Sequence, residues 1–304
     1  MDTTTLPSWN DGPARRAVLE FLATVTEAGP GHVPPVDRVA TFDNDGTLWC
    51  EQPLPPQFDF VLRRWAEMAE ADPSKRREQP YQAAVERDAD WLRHYYDHIP
   101  ELLRGLAHAF DGATPEQFEA IVARFFTDVH HPRFGLPYDQ VVYQPMRELL
   151  ELLAANGFRV FIASGGGRDF MRVISEATYG VLRERVIGTA PDYEYRDGTL
   201  HRLPTLLGGV DDGPGKPVHI FHQVGRRPLL AGGNSDGDVE MMESARFALL
   251  VHHDDADREY AYDVKAERAL DVAARDGWTV VSMRDDWSTV FPQRVPVRTA
   301  AEVG

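Results

Sequence analysis

Arg38-Val39-Ala40-Thr41-Phe42 runs straight into Asp43-Asn44-Asp45-Gly46-Thr47, and the fold follows from that junction. A short apolar run stops abruptly at two carboxylates and a glycine. Such a run reads as a buried strand that delivers acidic side chains at its carboxyl end. Two further junctions share this form. Phe158 to Ala163 stops at Ser164-Gly165-Gly166-Gly167, and Pro228 to Gly232 stops at Gly233-Asn234-Ser235-Asp236-Gly237-Asp238. Phe247 to Val251 and Trp278 to Met283 complete the β-prone set. Tyr193 to Arg202 holds Asp197-Gly198 between β-prone runs, a hairpin signal.

Helical patterns separate these strands. Residues 14–28 bury Val18, Leu19, Phe21, Leu22 and Val25 on one face and close at Gly29-Pro30. Pro145 to Asn156 and Arg168 to Tyr179 read as helices ended by Gly157 and Gly180. Strands alternating with helices predict a doubly wound parallel α/β sheet. Ligands in such sheets sit beyond the carboxyl ends of the strands, so the three polar clusters are expected to converge.

From Gln57 to about Phe126 the spacing is helical instead. Phe58, Val61, Trp65 and Met68 mark one face; Tyr81, Val85, Asp88, Trp91, Leu92 and Tyr95 mark another, before Leu102, Leu103, Leu106 and Phe110. Thr114, Pro115 and Gln117 open a further helix with a capping box. The expected organisation is an α/β core of residues 1–50 and 145–304, interrupted by an all-helical insertion of residues 51–144. The aromatics Trp65, Trp91, Tyr95 and Tyr96 read as its core rather than a substrate box.

The chain has 304 residues, with 32 Lys and Arg against 48 Asp and Glu, a net charge of -16. Its surface repels phosphate backbones and anionic lipid, which argues against a nucleic-acid or membrane-surface role. No apolar run is long enough to span a bilayer. Met1-Asp2-Thr3-Thr4-Thr5 lacks the basic and apolar regions of a secretory signal. The single cysteine, Cys50, cannot form an intrachain disulfide, and the expected setting is cytoplasmic. Oligomeric state is not legible.

Asp43 and Asp45, two residues apart past a strand, can face one pocket. Unneutralised, they raise one another's pKa, which suits a hard cation such as Mg²⁺ or a split between nucleophile and acid/base. A plain Asx-turn explains the tetrad equally well. Ser164 with the N–H groups after it can cradle an anion, although a triple glycine also serves as a connector. Lys216 follows a Gly/Pro turn and is one of only three lysines, with Lys75 and Lys265. Asp238 reads alternatively as a helix N-cap. His130-His131 and His252-His253 read as loop or strand-end residues, since adjacent histidines on extended chain point opposite ways.

Phe42-Asp43-Asn44-Asp45-Gly46-Thr47-Leu48, Ala163-Ser164-Gly165-Gly166, Lys216, and Gly233 to Met241 resemble, in order, the four motifs of the haloacid dehalogenase superfamily. The nearest likeness is to its phosphoserine-phosphatase-like members. The resemblance spans Val39 to Val251, and the insertion resembles that superfamily's C1-type helical cap. It implies a Mg²⁺-dependent hydrolase of small phosphate monoesters acting through an aspartyl-phosphate. Asp43 would be the nucleophile and Asp45 the acid and base. Ser164 and Gly165 would hold phosphoryl oxygens, and Lys216 would balance charge. Asp43, the Asp45 carbonyl, Asn234 and Asp238 would form the metal site, with Asp238 either holding a metal-bound water or pairing with Lys216.

The chain departs from the pattern at Asn234, where the family usually has aspartate; Asp236 could supply the missing carboxylate if the loop is reset. Asp45 argues against a dehalogenase, which needs no proton there, and against P-type ATPases, which carry threonine. Glu51 lies one residue short of a glutamate that contacts the substrate amino group in phosphoserine phosphatases; otherwise it reads as surface. A phosphotransferase or phosphomutase would use the same residues. A non-catalytic metal-binding regulatory module is the alternative from another class, and Asn234 is the feature favouring it.

Overall fold

A computed structural model describes residues 5–292 apart from 89, 92, 93 and 95–98. Seven strands form one sheet: β1 (Val39–Phe42), β2 (Arg159–Gly167), β3 (Val186–Arg196), β4 (Thr199–Leu207), β5 (Leu230–Gly233), β6 (Phe247–His252) and β7 (Thr279–Ser282). Their order is β4-β3-β2-β1-β5-β6-β7. All neighbours pair in parallel except β3 with β4. The chain winds outward from β1 through β2 and β3, then returns to β5 on the other side. That reversal puts the topological switch point between β1 and β5, where open α/β sheets hold ligands.

Successive residues of the inner strands feed two separate cores. Ala40, Phe42, Val160, Ile162 and Leu249 belong to one, and Val39, Phe161, Ala163, Ala231 and Leu250 to the other. A sheet buried on both faces needs apolar residues at every position, so its strands read as runs rather than alternations. The Asp197-Gly198 signal is a hairpin turn between β3 and β4, with φ of 52° and 82°, the left-handed pair that a type I′ turn requires.

Two boundaries differ from the sequence reading. β2 runs on through the glycines to Gly167, with a register shift between Ser164 and Gly167. It can do so because β3 has Gly188 there: a Cβ at that position would sit 2.8 Å from the Gly166 carbonyl oxygen. The helix expected over 168–179 is two short ones, Arg168–Arg172 and Ser175–Tyr179, broken at the β-branched pair Val173-Ile174.

Between β1 and β2, ahead of the helix Gln144–Ala155, lie among the described residues the helices Pro56–Ala71, Tyr81–Glu86, Ile99–Ala109 and Pro115–Asp128. Thr114 and Gln117 form the expected capping box. The second helix stops at Glu86, where Arg87 turns left-handed, instead of continuing through Tyr95; Leu92, Tyr95 and Tyr96 lie outside the described residues. Phe60 stacks on Phe110 at 5.2 Å and meets Phe125 at 5.3 Å and Phe170 at 5.2 Å. Phe170 follows the end of β2, so these rings fasten the helical insertion over the strand ends, each pair adding about 0.5–1.5 kcal/mol beyond its area burial. Among the described residues no helix is long and apolar enough to cross a membrane.

His131 anchors the return from the insertion. Its Nε2 lies 2.6 Å from the Gln52 carbonyl, while Nδ1 accepts the backbone N–H groups of Arg133 and Phe134 at 3.2 and 3.3 Å. Those three contacts define a neutral ring with its proton on Nε2. Burial pushes its pKa down to about 4, from an ordinary value of 6.5. Because the folded value lies below the unfolded one, its stabilisation is complete above pH 6.5 and is lost as pH falls towards 4. At 1.36 kcal/mol per unit this site costs about 2 kcal/mol on going from pH 7.5 to 5. Urea unfolding at the two pH values should show His131→Asn losing about 2 kcal/mol less than the unaltered chain; equal losses would contradict the assignment.

Candidate active site

The first junction ends where the switch point begins. Asp43 N–H continues the ladder by donating to the Gly232 carbonyl at 2.9 Å, and its carboxylate turns towards Lys216. Lys216 is the second residue of helix Gly215–Val224, and its ammonium is 2.6 Å from Asp43 Oδ1 and 2.6 Å from Asp238 Oδ1. Only 2% of the Lys216 side chain is exposed. Burial alone would lower its pKa, but the charges of Asp238 and Asp43 and their hydrogen bonds more than offset this and raise it. Three sequence-distant stretches are thus tied by one buried cation.

Asp45 faces the same cavity. Its Oδ1 accepts the Trp49 indole N–H at 2.8 Å. Burial first, and then the charge of Glu51, lift its pKa to about 7. The carboxyl can therefore hold or release a proton near neutrality. Ser164 is buried, with its Oγ accepting the Gly166 N–H at 3.1 Å. Gly165 has its carbonyl fixed by the Thr189 hydroxyl at 2.8 Å. The cavity has a volume of about 350 Å³ and is lined by Asp43, Asp45, Glu51, Ser164, Gly165 and Lys216. Phe58, Val61, Trp65, Leu102 and Leu106 form an apolar wall from the insertion. Trp65 is both core and wall, fully buried yet lining the cavity.

The fourth motif divides its residues among separate tasks. Asp238 gives Oδ1 to Lys216, and its Oδ2 accepts the N–H groups of Asn234 and Ser235, each at 3.0 Å. Of the two roles expected for Asp238, the contact with Lys216 is the one these hydrogen bonds make. Asp236 points elsewhere: its Oδ1 accepts the Ala269 N–H at 2.9 Å, in the first turn of helix Glu267–Asp276. It does not stand in for the missing carboxylate. Asn234 Oδ1 takes the Thr47 hydroxyl at 3.0 Å, and its Nδ2 donates to Glu51 Oε1 at 3.1 Å.

Residues 40–243 match the family model described as haloacid dehalogenase-like hydrolase. The chain belongs to that family. No curated protein sequence matches it. Among solved structures, a protein of unknown function from Bordetella pertussis Tohama I is 20% identical, with a TM-score of 0.53 over 80% of this chain and 97% of that one. A functionally unknown protein from Anaerococcus prevotii is 14% identical, with a TM-score of 0.55 over 87% and 90%. A phosphoserine phosphohydrolase-like protein from Francisella tularensis is 13% identical, with a TM-score of 0.42 over 77% and 92%. At these identities the likeness to the Bordetella and Anaerococcus proteins is one of fold.

The Mg²⁺ that this hydrolase family generally uses can be tested against the donors present. Among the described residues, Asp43 Oδ2 and the Asp45 carbonyl oxygen accept no hydrogen bond, and Asn234 Oδ1 accepts one. Two hard oxygens and an amide oxygen suit an ion that keeps several waters and uses one or two carboxylates. The residues fit the ion, with one negative charge fewer than an aspartate at 234 would bring.

Sequence reasoning missed what lies behind the Asp43–Thr47 loop. His253 is buried; its Nε2 is 2.7 Å from the Gly46 carbonyl and its Nδ1 is 3.3 Å from Glu259 Oε2. Both ring nitrogens face acceptors, so both carry protons and the ring is an imidazolium. Burial opposes the charge, but the Glu259 hydrogen bond and the charges of Glu259 and Glu51 raise its pKa. Tyr143 donates to Glu259 at 3.0 Å and Tyr262 to Glu51 at 2.7 Å, so Glu51 is half-buried and hydrogen-bonded at the cavity. Cys50 is buried beside His131, and burial pushes its thiol up, away from reactivity.

Replacing His253 by leucine leaves Glu259 buried without its cation. By urea unfolding at pH 7, His253→Leu is expected to cost about 3–5 kcal/mol. Adding Glu259→Gln should recover part of that loss. A double variant no more stable than the single one would contradict the ion pair.

Proposed function

We propose that this chain hydrolyses small phosphate monoesters, with Asp43 as nucleophile and Mg²⁺ as cofactor. The observation that carries the reading is the Lys216 ammonium, 2.6 Å from Asp43, beside an Asp45 carboxyl lifted to about 7. Burial first, and then the charge of Asp238, push the Asp43 carboxyl up, and the Lys216 ammonium opposes them. A carboxylate nucleophile held against a cation, with an acid in the same cavity, is the pair that ester cleavage requires. Asp43 attacks phosphorus, the bond to the leaving oxygen breaks, and Asp45 supplies its proton. Water then attacks the phosphorylated Asp43, Asp45 takes a proton, and inorganic phosphate leaves with the Asp43 carboxylate restored.

Ser164 Oγ–H and the Gly165 N–H hold phosphoryl oxygens, and Lys216 favours the carboxylate form of Asp43 against the upward push of burial and Asp238. Asp43, the Asp45 carbonyl and Asn234 would hold Mg²⁺, which when bound neutralises and orients the phosphoryl group. Glu51, whose Oε1 is held by Asn234 and Tyr262, would meet a polar or amine-bearing part of the substrate. Residues 51–144 act as a cap over a core of residues 1–50 and 145–304. Their apolar wall excludes water and receives the leaving group. One buried thiol and an acidic surface fit a cytoplasmic setting without nucleic-acid partners.

Phosphate release from p-nitrophenyl phosphate tests the reading. The unaltered chain should turn over with Mg²⁺ and stop with EDTA. Asp43→Asn should lower kcat by at least about a thousandfold without unfolding the chain, and Asp45→Asn by about 10²–10⁴-fold. Asn234→Asp should tighten apparent Mg²⁺ affinity. Full turnover by Asp43→Asn would overturn the assignment.

A further inference from the structure

The three glycines after Ser164 do not share one job. Gln57, in the first turn of helix Pro56–Ala71, lies across two of them. A Cβ on Gly167 would meet Gln57 Nε2 at 2.4 Å and Cδ at 3.2 Å, so a side chain there would push the Gln57 amide from its place. The Gly167 N–H donates to Gln57 Oε1. Only the oxygen of an amide accepts, which fixes the orientation of the group. On the next residue, a Cβ on Gly166 would lie 3.0 Å from Gln57 Oε1, 3.4 Å from Ser164 Oγ and 3.5 Å from Asp45 Oδ2. Three oxygens therefore surround the bare side of Gly166, and all three residues line the cavity. Gln57 comes from the insertion, yet its oxygen faces the same bare side of Gly166 as the core's acid.

From this juxtaposition we infer that Gln57 positions the water that cleaves phosphorylated Asp43, an assignment that rests on the phosphatase reading above. Gln57 Oε1 can only accept. One lone pair is committed to Gly167, and the other is free among the described residues. In the first half of the reaction the ester oxygen beside Asp45 has no hydrogen and offers Oε1 nothing. In the second half a water takes that place with two hydrogens, one for Asp45 and one for Gln57. Its lone pair then points at phosphorus: the new O–P bond forms, the P–O bond to Asp43 breaks, and the proton goes to Asp45. Gln57 thus acts on one half-reaction and not on the other. It is a positioning residue, because it works through the water.

Stopped-flow measurement on p-nitrophenyl phosphate with Mg²⁺, following p-nitrophenolate and inorganic phosphate separately, tests this. Gln57→Met keeps the length and removes the acceptor. It should slow phosphate release about tenfold or more, leave kcat/KM within about twofold, and show a stoichiometric burst of p-nitrophenolate with acid-stable protein-bound phosphate kept low in the unaltered chain. Gln57→Glu keeps an acceptor oxygen and should hold phosphate release within about threefold of the unaltered rate. A joint fall of kcat and kcat/KM without a burst would overturn the assignment, as would a Gln57→Met variant indistinguishable from the unaltered chain. If Gln57→Met melts early, the Gln57→Glu variant decides: equal slowing in both overturns it. No phosphate release by the unaltered chain is a separate result, and it removes the phosphatase reading itself.

Discussion

One ammonium between two carboxylates is the constraint on which this molecule depends. Lys216 sits 2.6 Å from both Asp43 and Asp238, with almost no exposure to water. Burying a single charge costs several kcal/mol, and an uncompensated carboxylate in the same place costs as much. The three groups are tolerable only together, so β1, the helix carrying Lys216 and the loop after β5 must meet at one rim. The parallel sheet brings these ends together, and the ion triad keeps them there.

A second buried ion pair supports the first from behind. His253, paired with Glu259, holds the Gly46 carbonyl, and Gly46 lies directly after Asp45. Gly46 itself has φ of 73°, and a Cβ there would come within 2.1 Å of Asn234 Nδ2. The turn after the acid is therefore shaped by close approach as well as by backbone freedom. Asn234, Glu51 and Tyr262 extend the same hydrogen-bonded shell to the cavity edge. Negative charge absent at 234 stands one hydrogen bond away, on Glu51.

The sheet and the convergence of its polar ends were legible, because a strand buried on both faces leaves an uninterrupted apolar run that stops at its functional end. Lys216 stood out through the scarcity of lysine. His253 did not: nothing in the pair His252-His253 says which ring turns inward. His252 reaches Asp263 at 2.8 Å near the surface while its neighbour lies in the core. Gln57 was hidden for another reason. An uncharged amide at a helix start has no motif, and its meaning appears only when Gly166 and Gly167 are seen beneath it. The glycines pointed to an anion cradle, whereas two of the three make room for a side chain from the insertion.

A double-mutant cycle on folding stability, using Lys216→Met, Asp238→Asn and their combination, tests the ion triad most directly. If the three charges hold one another in place, Lys216→Met strands both carboxylates, and adding Asp238→Asn removes one of the stranded pair. The combined change should then cost less than the sum of the two by about 2 kcal/mol or more. Additive losses would mean that Lys216 and Asp238 do not depend on each other, and the account built on their meeting would be wrong.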